Sequence, residues 1–562
     1  MQEKNPLITS QASKMRKIVA KYWQRRPRTL LTLGALTYVA FLVIWALCVP
    51  TSNTPVIMKL QEFSTREQSK SATVQISRRR FRCVAWRATS SCRPNGPREP
   101  QNDKNCSESI EDNTSGYCEI EDIDSGERFY TMRRYCNGLK GNIRFSCTSA
   151  PDFANFHVEG QVAVEKALVP SFSLPNVEKN RHDKRNGIVM VVYPKLLASA
   201  YATIRVLRDV LKCSLSIEIW FHMDEIDDKL VLLAPLQQLS INLGGISFHP
   251  IYNPNAKGFL SKIFAIYNSH FDRVLFLDAD NVPVRDPSFL FSSTEFTANG
   301  AVFWPDFWHP QRTLFNLHGR SMLWELLDMP FVNMFEQESG QLLIDRKRHV
   351  APLELVHFYT FHQSNFLEKL ELVYGDKDLF RLAWLKLNAA FHMIRAVPAM
   401  AGRFENGSFC GMTMVQHDAE GNVLFLHRNQ HKLTGERQEE VGKDKESTAE
   451  PEAAIGAKQL DEYPDPVIWT HLLSFRKEVD VKFYLIDAYR AAPDFPQWQP
   501  CYGKRYVDKQ NLFELQDVAN TSFAGIEFDI RHFAFEAAML RHSREIQWIG
   551  SHPVNTTENR SG

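Results

Sequence analysis

Val274-Leu275-Phe276-Leu277-Asp278-Ala279-Asp280-Asn281 decides how this 562-residue chain is read. Four consecutive apolar residues are too few for a helix and suit a short strand buried on both faces. Such a strand delivers its last residues to the carboxyl edge of an open α/β sheet, where these sheets place their ligands. In extended backbone residues i and i+2 point to the same side, so Asp278 and Asp280 can address one hard divalent cation and, through it, a diphosphate. Two aspartates in a loop are otherwise ordinary solvated turn formers. The apolar lead-in separates this pair from that background.

Two rival metal motifs compete for the same residues. A calcium loop of EF-hand type needs Gly at its sixth position and Glu at its twelfth, and counting from Asp278 gives Pro283 and Phe289, so that reading fails. A haloacid-dehalogenase phosphohydrolase also carries an apolar strand followed by Asp-x-Asp-x-Thr/Val, which Asp278, Asp280 and Val282 satisfy. There the aspartates end the first strand of the catalytic domain. Here at least two strand and helix alternations precede them, and position argues against it.

Working outward, Ile188 to Tyr193, Ile217 to His222 and Ile246 to His249 read as strands, with helical stretches at Ala198 to Lys212, Lys229 to Leu239 and Leu260 to Ser269 between them. This alternation predicts an α/β fold with a mostly parallel sheet and helices on its faces. Beyond the aspartates, Ala301 to Trp304 and Gln341 to Asp345 read as strands and Gln311 to Leu327 as a helix. Trp304, Phe307, Trp308 and Trp384 are candidates for an apolar platform under a sugar ring, with core packing as the alternative use.

The ends of the chain have a different character. Thr29 to Val49 carries no charge and is long enough at helical rise to cross a hydrocarbon core of about 30 Å. Lys14, Arg16, Lys17, Lys21, Arg25, Arg26 and Arg28 all precede it, which predicts a signal-anchor with a cytosolic N-terminus and everything after Pro50 luminal. Cys83, Cys92, Cys106, Cys118, Cys136 and Cys147 crowd one polar stretch without a Cys-x-x-Cys pair, which favours disulfides over zinc in an oxidising lumen. Nine luminal cysteines cannot all pair within the chain. Sequons at Asn105, Asn113, Asn406, Asn520, Asn555 and Asn559 fit the same side of the membrane. The expected organisation is a tail at 1–28, an anchor at 29–49, a stem at 50–185, a catalytic domain at 186–435, an aperiodic mobile insertion at 436–466 and a C-terminal extension at 467–562. Lys+Arg 66 against Asp+Glu 65 leaves a formal charge of +1, which excludes the basic field that a nucleic-acid partner requires.

Val274 to Phe291, reading VLFLDADNVPVRDPSFLF, resembles the same block of the fungal-type Golgi α-mannosyltransferases of the Mnn1/Mnn2 group, glycosyltransferase family 71. The resemblance continues through Gly300 to Trp308, Glu338-Ser339-Gly340-Gln341, Gly375-Asp376-Lys377-Asp378 and Leu424-Phe425-Leu426-His427-Arg428-Asn429. It implies a GT-A fold, a type II Golgi membrane enzyme and retaining transfer of mannose from GDP-mannose to a mannose-terminated glycan. It further implies Mn²⁺ or Mg²⁺ on Asp278 and Asp280, with His427 as a third ligand and Lys432 on the diphosphate. Asn281, Lys262 and Arg205 are further candidates for the donor. Glu338 and Gln341 can hydrogen-bond sugar hydroxyls, and Gly340 would allow the backbone to approach a sugar. Asp376 and Asp378 resemble an Asp-Gln-Asp segment beside the anomeric carbon in related retaining transferases, but Lys377 stands in place of the Gln and that contact does not carry over. A UDP-sugar transferase of the same fold, and a silent glycan-binding subunit of a transferase complex, are the remaining alternatives.

Overall fold

The computed structural model describes residues 78–178, 185–226, 230–436, 463–491, 500–507 and 512–551. The anchor run Thr29 to Val49, the basic tail, most of the 436–466 insertion and the sequons at Asn555 and Asn559 lie outside the described residues. Among the described residues no helix is long and apolar enough to cross a membrane.

The six-cysteine stretch is folded. Strands β1 (Phe81–Thr89), β2 (Ser115–Asp122) and β3 (Arg128–Arg134) form an antiparallel sheet against which helix Ala150–Leu168 packs. Its cysteines pair among themselves as Cys83–Cys106, Cys92–Cys136 and Cys118–Cys147. A fourth bridge joins Cys410 to Cys501, and Cys213 is left as a buried free thiol.

Four parallel strands follow: β4 (Asn186–Val191), β5 (Ser216–His222), β6 (Ile246–Ile251) and β7 (Arg273–Leu277), side by side in the order β7-β4-β5-β6. Helices Leu197–Arg205, Ala234–Leu243 and Leu260–Asn268 connect them, as the alternation of apolar runs predicts. Both faces of this sheet are covered. Leu275 and Leu277 of β7 enter one apolar core together with Ile188 and Met190, while Val274 and Phe276 enter a second core with Val189 and Val191. The apolar run is therefore continuous because alternate residues serve opposite cores.

After the short β8 (Asn281–Pro283), strands β9 (Ala301–Pro305) and β10 (Gln337–Asp345) complete the sheet, β10 lying antiparallel between β7 and β9, and β11 (His392–Met393) closes the edge. A third, antiparallel sheet is built from β12 (Ala399–Glu405), β13 (Ser408–His417), β14 (Val423–His427), β15 (His471–Phe475), β16 (Asp487–Arg490), β17 (Pro500–Gly503) and β18 (Phe513–Asp517). Residues past 466 thus contribute strands to this sheet, and helix Ile526–Ser551 packs on helix Leu197–Arg205.

The helix expected over Gln311 to Leu327 is not formed beyond the single turn Leu323–Leu326. Thr313 Oγ1 accepts from the amides of Phe315 and Leu317, and Asn316 takes a left-handed φ of 65°. A side-chain acceptor has replaced the helical ladder, the usual way in which Thr competes with helix.

Candidate active site

Backbone hydrogen bonds fix the aspartates where β7 ends. The Asp278 amide donates to Gly340 O at 2.9 Å, the Arg428 amide donates to Asp280 O at 3.0 Å, and Thr203 Oγ1 donates to Ala279 O at 2.9 Å. Asn281 is fully buried and donates from Nδ2 to Gly340 O and Gln341 Oε1, so these two polar side chains brace the turn. Directly after the turn, β8 pairs with β14 and sets Asn281 opposite His427. This pairing carries the imidazole to the carboxylates. His427 Nε2 lies 3.4 Å from Asp280 Oδ1 and 3.8 Å from Asp278 Oδ2, and one ligand atom from each of the three falls within 4.8 Å of the others.

Two ammonium groups flank the triad. Lys262, buried on helix Leu260–Asn268, places Nζ 3.2 Å from Asp278 Oδ2 and 3.0 Å from Asp376 Oδ2, and donates to Ser339 O. Lys432 contacts Asp280 directly. Burial would raise the Asp280 carboxyl, but Lys432 and His427 override it and hold the group well below the usual carboxylate range. Burial opposes a charge on His427, yet Asp280 and Glu338 raise it to about 9. A metal ion held on this imidazole would have to displace that proton.

The site continues away from the triad through Glu338. Its Oε1 accepts from the Ser339 and Gly340 amides and lies 3.5 Å from His427 Nδ1; its Oε2 is 3.3 Å from Lys377 Nζ. Lys377 reaches Asp306 Oδ2 at 2.5 Å. Burial pushes Asp306 up to about 6 despite that partner. The pocket holding all of these has a volume of about 490 Å³ and also meets Tyr193, Asn429 and Tyr502. A larger cavity of about 770 Å³ lies between β3, helix Ala150–Leu168 and the Arg320 to Pro330 segment, but among the described residues no metal-ligand triad lines it. The chemistry converges on the smaller one.

Of the residues singled out from sequence, Asp278, Asp280, His427, Lys262, Lys432, Glu338 and Asp376 meet in this pocket. Arg205 does not. It pairs with Asp209 and, at 2.6 Å, with Glu536 of the C-terminal helix, which ties that helix to helix Leu197–Arg205 and keeps the guanidinium out of the pocket. Asp378 is wholly buried, accepting from the Gln337 amide and pairing with Arg381, so it anchors β10. Gln341 and Asn281 likewise support the turn from behind. Gly340 admits His427 and not a sugar: a Cβ there would stand 2.5 Å from His427 Nδ1. Trp304 and Trp384 are fully buried core residues, whereas Phe307 and Trp308 reach the pocket wall. Sequence reasoning missed Asp306, Lys377 and Tyr502 as site residues. Asp306 had a signal, since it follows the apolar strand β9 as Asp278 follows β7. Tyr502 had none, because it reaches the pocket on β17, which the Cys410–Cys501 bridge ties to β13.

The donor set suits a divalent cation. Two carboxylates and one imidazole are the ligand types that Mn²⁺ accepts, with oxygen predominating as Mg²⁺ prefers. The pocket lining otherwise balances five carboxylates (Asp278, Asp280, Asp306, Glu338, Asp376) against three lysines and His427. A diphosphate would enter a field with little net attraction unless a divalent ion shifted it.

Residues 185–418 match the protein family described as "Mannosyltransferase putative". Among curated proteins, the chain is 26% identical over 311 residues to Alpha-1,2-mannosyltransferase MNN21 of Candida albicans, covering 46% of this chain and 46% of that protein. It is 26% identical over 315 residues to Alpha-1,2-mannosyltransferase MNN5 of Saccharomyces cerevisiae, covering 47% and 53%. The chain thus spans about half the length of the curated relatives it matches. The mannosyltransferase Ktr4p from S. cerevisiae, a solved structure, aligns with a TM-score of 0.28 at 11% identity over 46% of this chain and 82% of that one, too low to decide anything. The family and the curated relatives bear out the resemblance to the Mnn group.

Proposed function

We propose that this chain is a divalent-metal-dependent α-mannosyltransferase of GT-A fold that moves mannose from GDP-mannose to a mannose-terminated glycan with retention. The observation that carries the reading is the convergence of Asp278, Asp280 and His427 with Lys262 and Lys432 in one pocket, in a chain whose sequence relatives are mannosyltransferases. The α-1,2 linkage in the names of both relatives is the linkage we assign. Chain order supports this over a phosphohydrolase, since β4, β5 and β6 all precede the strand bearing the aspartates.

A bound Mn²⁺ or Mg²⁺, held by Asp278, Asp280 and His427, would act as a Lewis acid toward the departing diphosphate. The chain's own groups do the rest. Lys432, with about a third of its side chain exposed, pairs with the buried Asp280 and donates to Arg428 O, and is placed to donate to a phosphate oxygen once that carboxylate is engaged. Lys262 is held by Ser339 O and Asp376, so it presents a fixed positive charge beside the leaving group. Glu338 and Asp376 offer acceptor oxygens for sugar hydroxyls and orient the ring. Glu338 is already engaged by two amides, His427 and Lys377, and we assign it to positioning, with the acceptor attacking on the face that the diphosphate leaves.

The Golgi, type II placement belongs to the same proposal. Its support is the uncharged run Thr29 to Val49 behind a basic tail, together with four disulfides that suit an oxidising lumen.

Calorimetry of GDP and UDP with and without Mn²⁺, followed by a transfer assay on a mannose oligosaccharide, tests the reading. GDP should bind only with the metal, and Asp280→Ala should abolish both binding and transfer, a loss beyond roughly a hundredfold. Metal-independent or absent GDP binding would sink the proposal, and a preference for UDP would replace the donor.

A further inference from the structure

Resting on the transferase reading, we infer that Phe259, Phe315 and Tyr374 form the acceptor-saccharide platform at the mouth of this pocket. The argument starts from exposure. Large aromatic side chains are normally withdrawn from water, yet Phe259 is 54% exposed and Tyr374 49% exposed at the same rim. The two rings stand 6.0 Å apart, and Tyr374 stacks on Phe315 at 4.8 Å with an interplanar angle of 24°. Leu314, 47% exposed, extends the same apolar lip.

The local backbone is arranged to hold this surface open. Gly375 has a φ of +57°, and a Cβ there would meet the Phe259 ring at 3.0 Å. Only glycine lets the Tyr374 turn lie against Phe259 without strain. The turn then runs directly into Asp376 and Lys377, which face the pocket floor.

The position within the pocket assigns the ligand. The metal triad occupies one end, and ionic contacts lead from it through Glu338 to Lys377 and Asp306. Lys377 Nζ lies 5.5 Å from the centre of the Phe315 ring, so the aromatic lip begins where this polar chain ends. A donor with its diphosphate at the triad would direct its sugar toward Glu338, and the acceptor, which attacks on the face that the diphosphate leaves, must enter through the part of the pocket the donor leaves open, over the aromatic lip. There it meets apolar ring faces beside carboxylates. That combination matches a hexose, which has an apolar C–H face for stacking and hydroxyls for the carboxylates; a charged or purely apolar ligand would satisfy only one half. Of the four aromatic residues expected from sequence, Trp304 and Trp384 are buried in the core, while Phe307 and Trp308 line the pocket wall but expose little ring surface to it.

The test uses Phe259→Ala, Tyr374→Ala and the double variant, with Tyr130→Ala on the cysteine-rich sheet as an exposed-aromatic control. A mannose-terminated trisaccharide serves both as acceptor and as a probe titrated calorimetrically in the presence of Mn²⁺ and GDP. Each single variant should raise the acceptor KM by about fivefold and the double by more than twentyfold. The KM for the donor, the rate of donor hydrolysis by water and the melting temperature should stay within twofold of the parent. Trisaccharide affinity should fall in parallel, and Tyr374→Phe should restore it. Unchanged trisaccharide affinity in a folded double variant overturns the platform, as does equal loss of donor hydrolysis. Should the parent show no transfer, trisaccharide binding that depends on Phe259 and Tyr374 would still support the platform while the transferase reading failed.

Discussion

Gly340→Ala adds one methyl group at the point where the site has no room. Gly340 lies in the extended strand β10 and lacks a left-handed φ, so alanine brings no backbone strain and the effect is steric. The new Cβ would stand 2.5 Å from His427 Nδ1, 2.7 Å from Cε1 and 3.1 Å from Glu338 Oε1. Ordinary contacts fall near 3.5 Å, so the imidazole has to retreat by about 1 Å, away from the strand and off its line to Asp280. A displacement of that size at a reacting constellation costs on the order of a hundredfold in rate. Metal affinity should drop by about ten- to a hundredfold, the usual result of disturbing how a ligand is oriented. Overpacking should lower global stability by only about 1–3 kcal/mol, leaving the protein folded. Mn²⁺-dependent GDP binding and mannose transfer measure the effect, with a thermal melt to confirm folding. If the cause is His427, the substitution should add little to His427→Ala, because the two act through one contact. A folded Gly340→Ala protein with parental metal affinity and transfer within threefold of normal would refute the placement of the imidazole.

Arg205→Ala should leave metal-dependent GDP affinity unchanged and lower stability by about 1 kcal/mol, since its partners Asp209 and Glu536 are partly exposed and screened; calorimetry beside a melt separates this from a role at the donor. Replacing both Cys410 and Cys501 by alanine opens a loop with a sequence separation of 91 and should cost about 2–5 kcal/mol, with a visible loss of transfer because Tyr502 loses its tether. Burial holds the His417 imidazole down to about 4, against about 6.5 in the unfolded chain. The unfolded state then binds more protons between those values, so stability present above pH 6.5 is lost as the pH falls toward 4, by up to about 3 kcal/mol. Urea midpoints at pH 7.5 and pH 5 should diverge in the parent and converge in His417→Gln, and equal slopes in both proteins would contradict this.

The parallel core was legible because each of its strands is a local signal. Val274 to Leu277 and Ile188 to Val191 announce burial on both faces without reference to any distant residue. The Asp pair was legible for the same reason. What the sequence hid depends on pairing between remote segments. His427 was expected beside the aspartates through the family resemblance alone, because it meets Asp280 by β14 lying beside β8, a register that no local pattern specifies. Gly340 was read as a place for sugar when it is the berth of that imidazole. Arg205 carries the right charge on the right helix, but the C-terminal helix claims it through Glu536. The Gln311 to Leu327 stretch has helical spacing, and Thr313 diverts its amides. Polar composition likewise gave no hint that the six-cysteine stretch would form a sheet.

The pairing of β8 with β14 also has a consequence in time. A chain emerging from the ribosome carries Asp278, Asp280 and Lys262 well before His427 and Lys432 exist, and Tyr502 later still. Vectorial synthesis builds the parallel sheet first and leaves the carboxylates waiting for a strand that has not been made. A fragment ending at residue 418, the limit of the family match, would hold both aspartates and no imidazole to join them. Nucleotide affinity would then require the later segment that carries His427 and Lys432, so binding reports that this segment has docked on the parallel sheet.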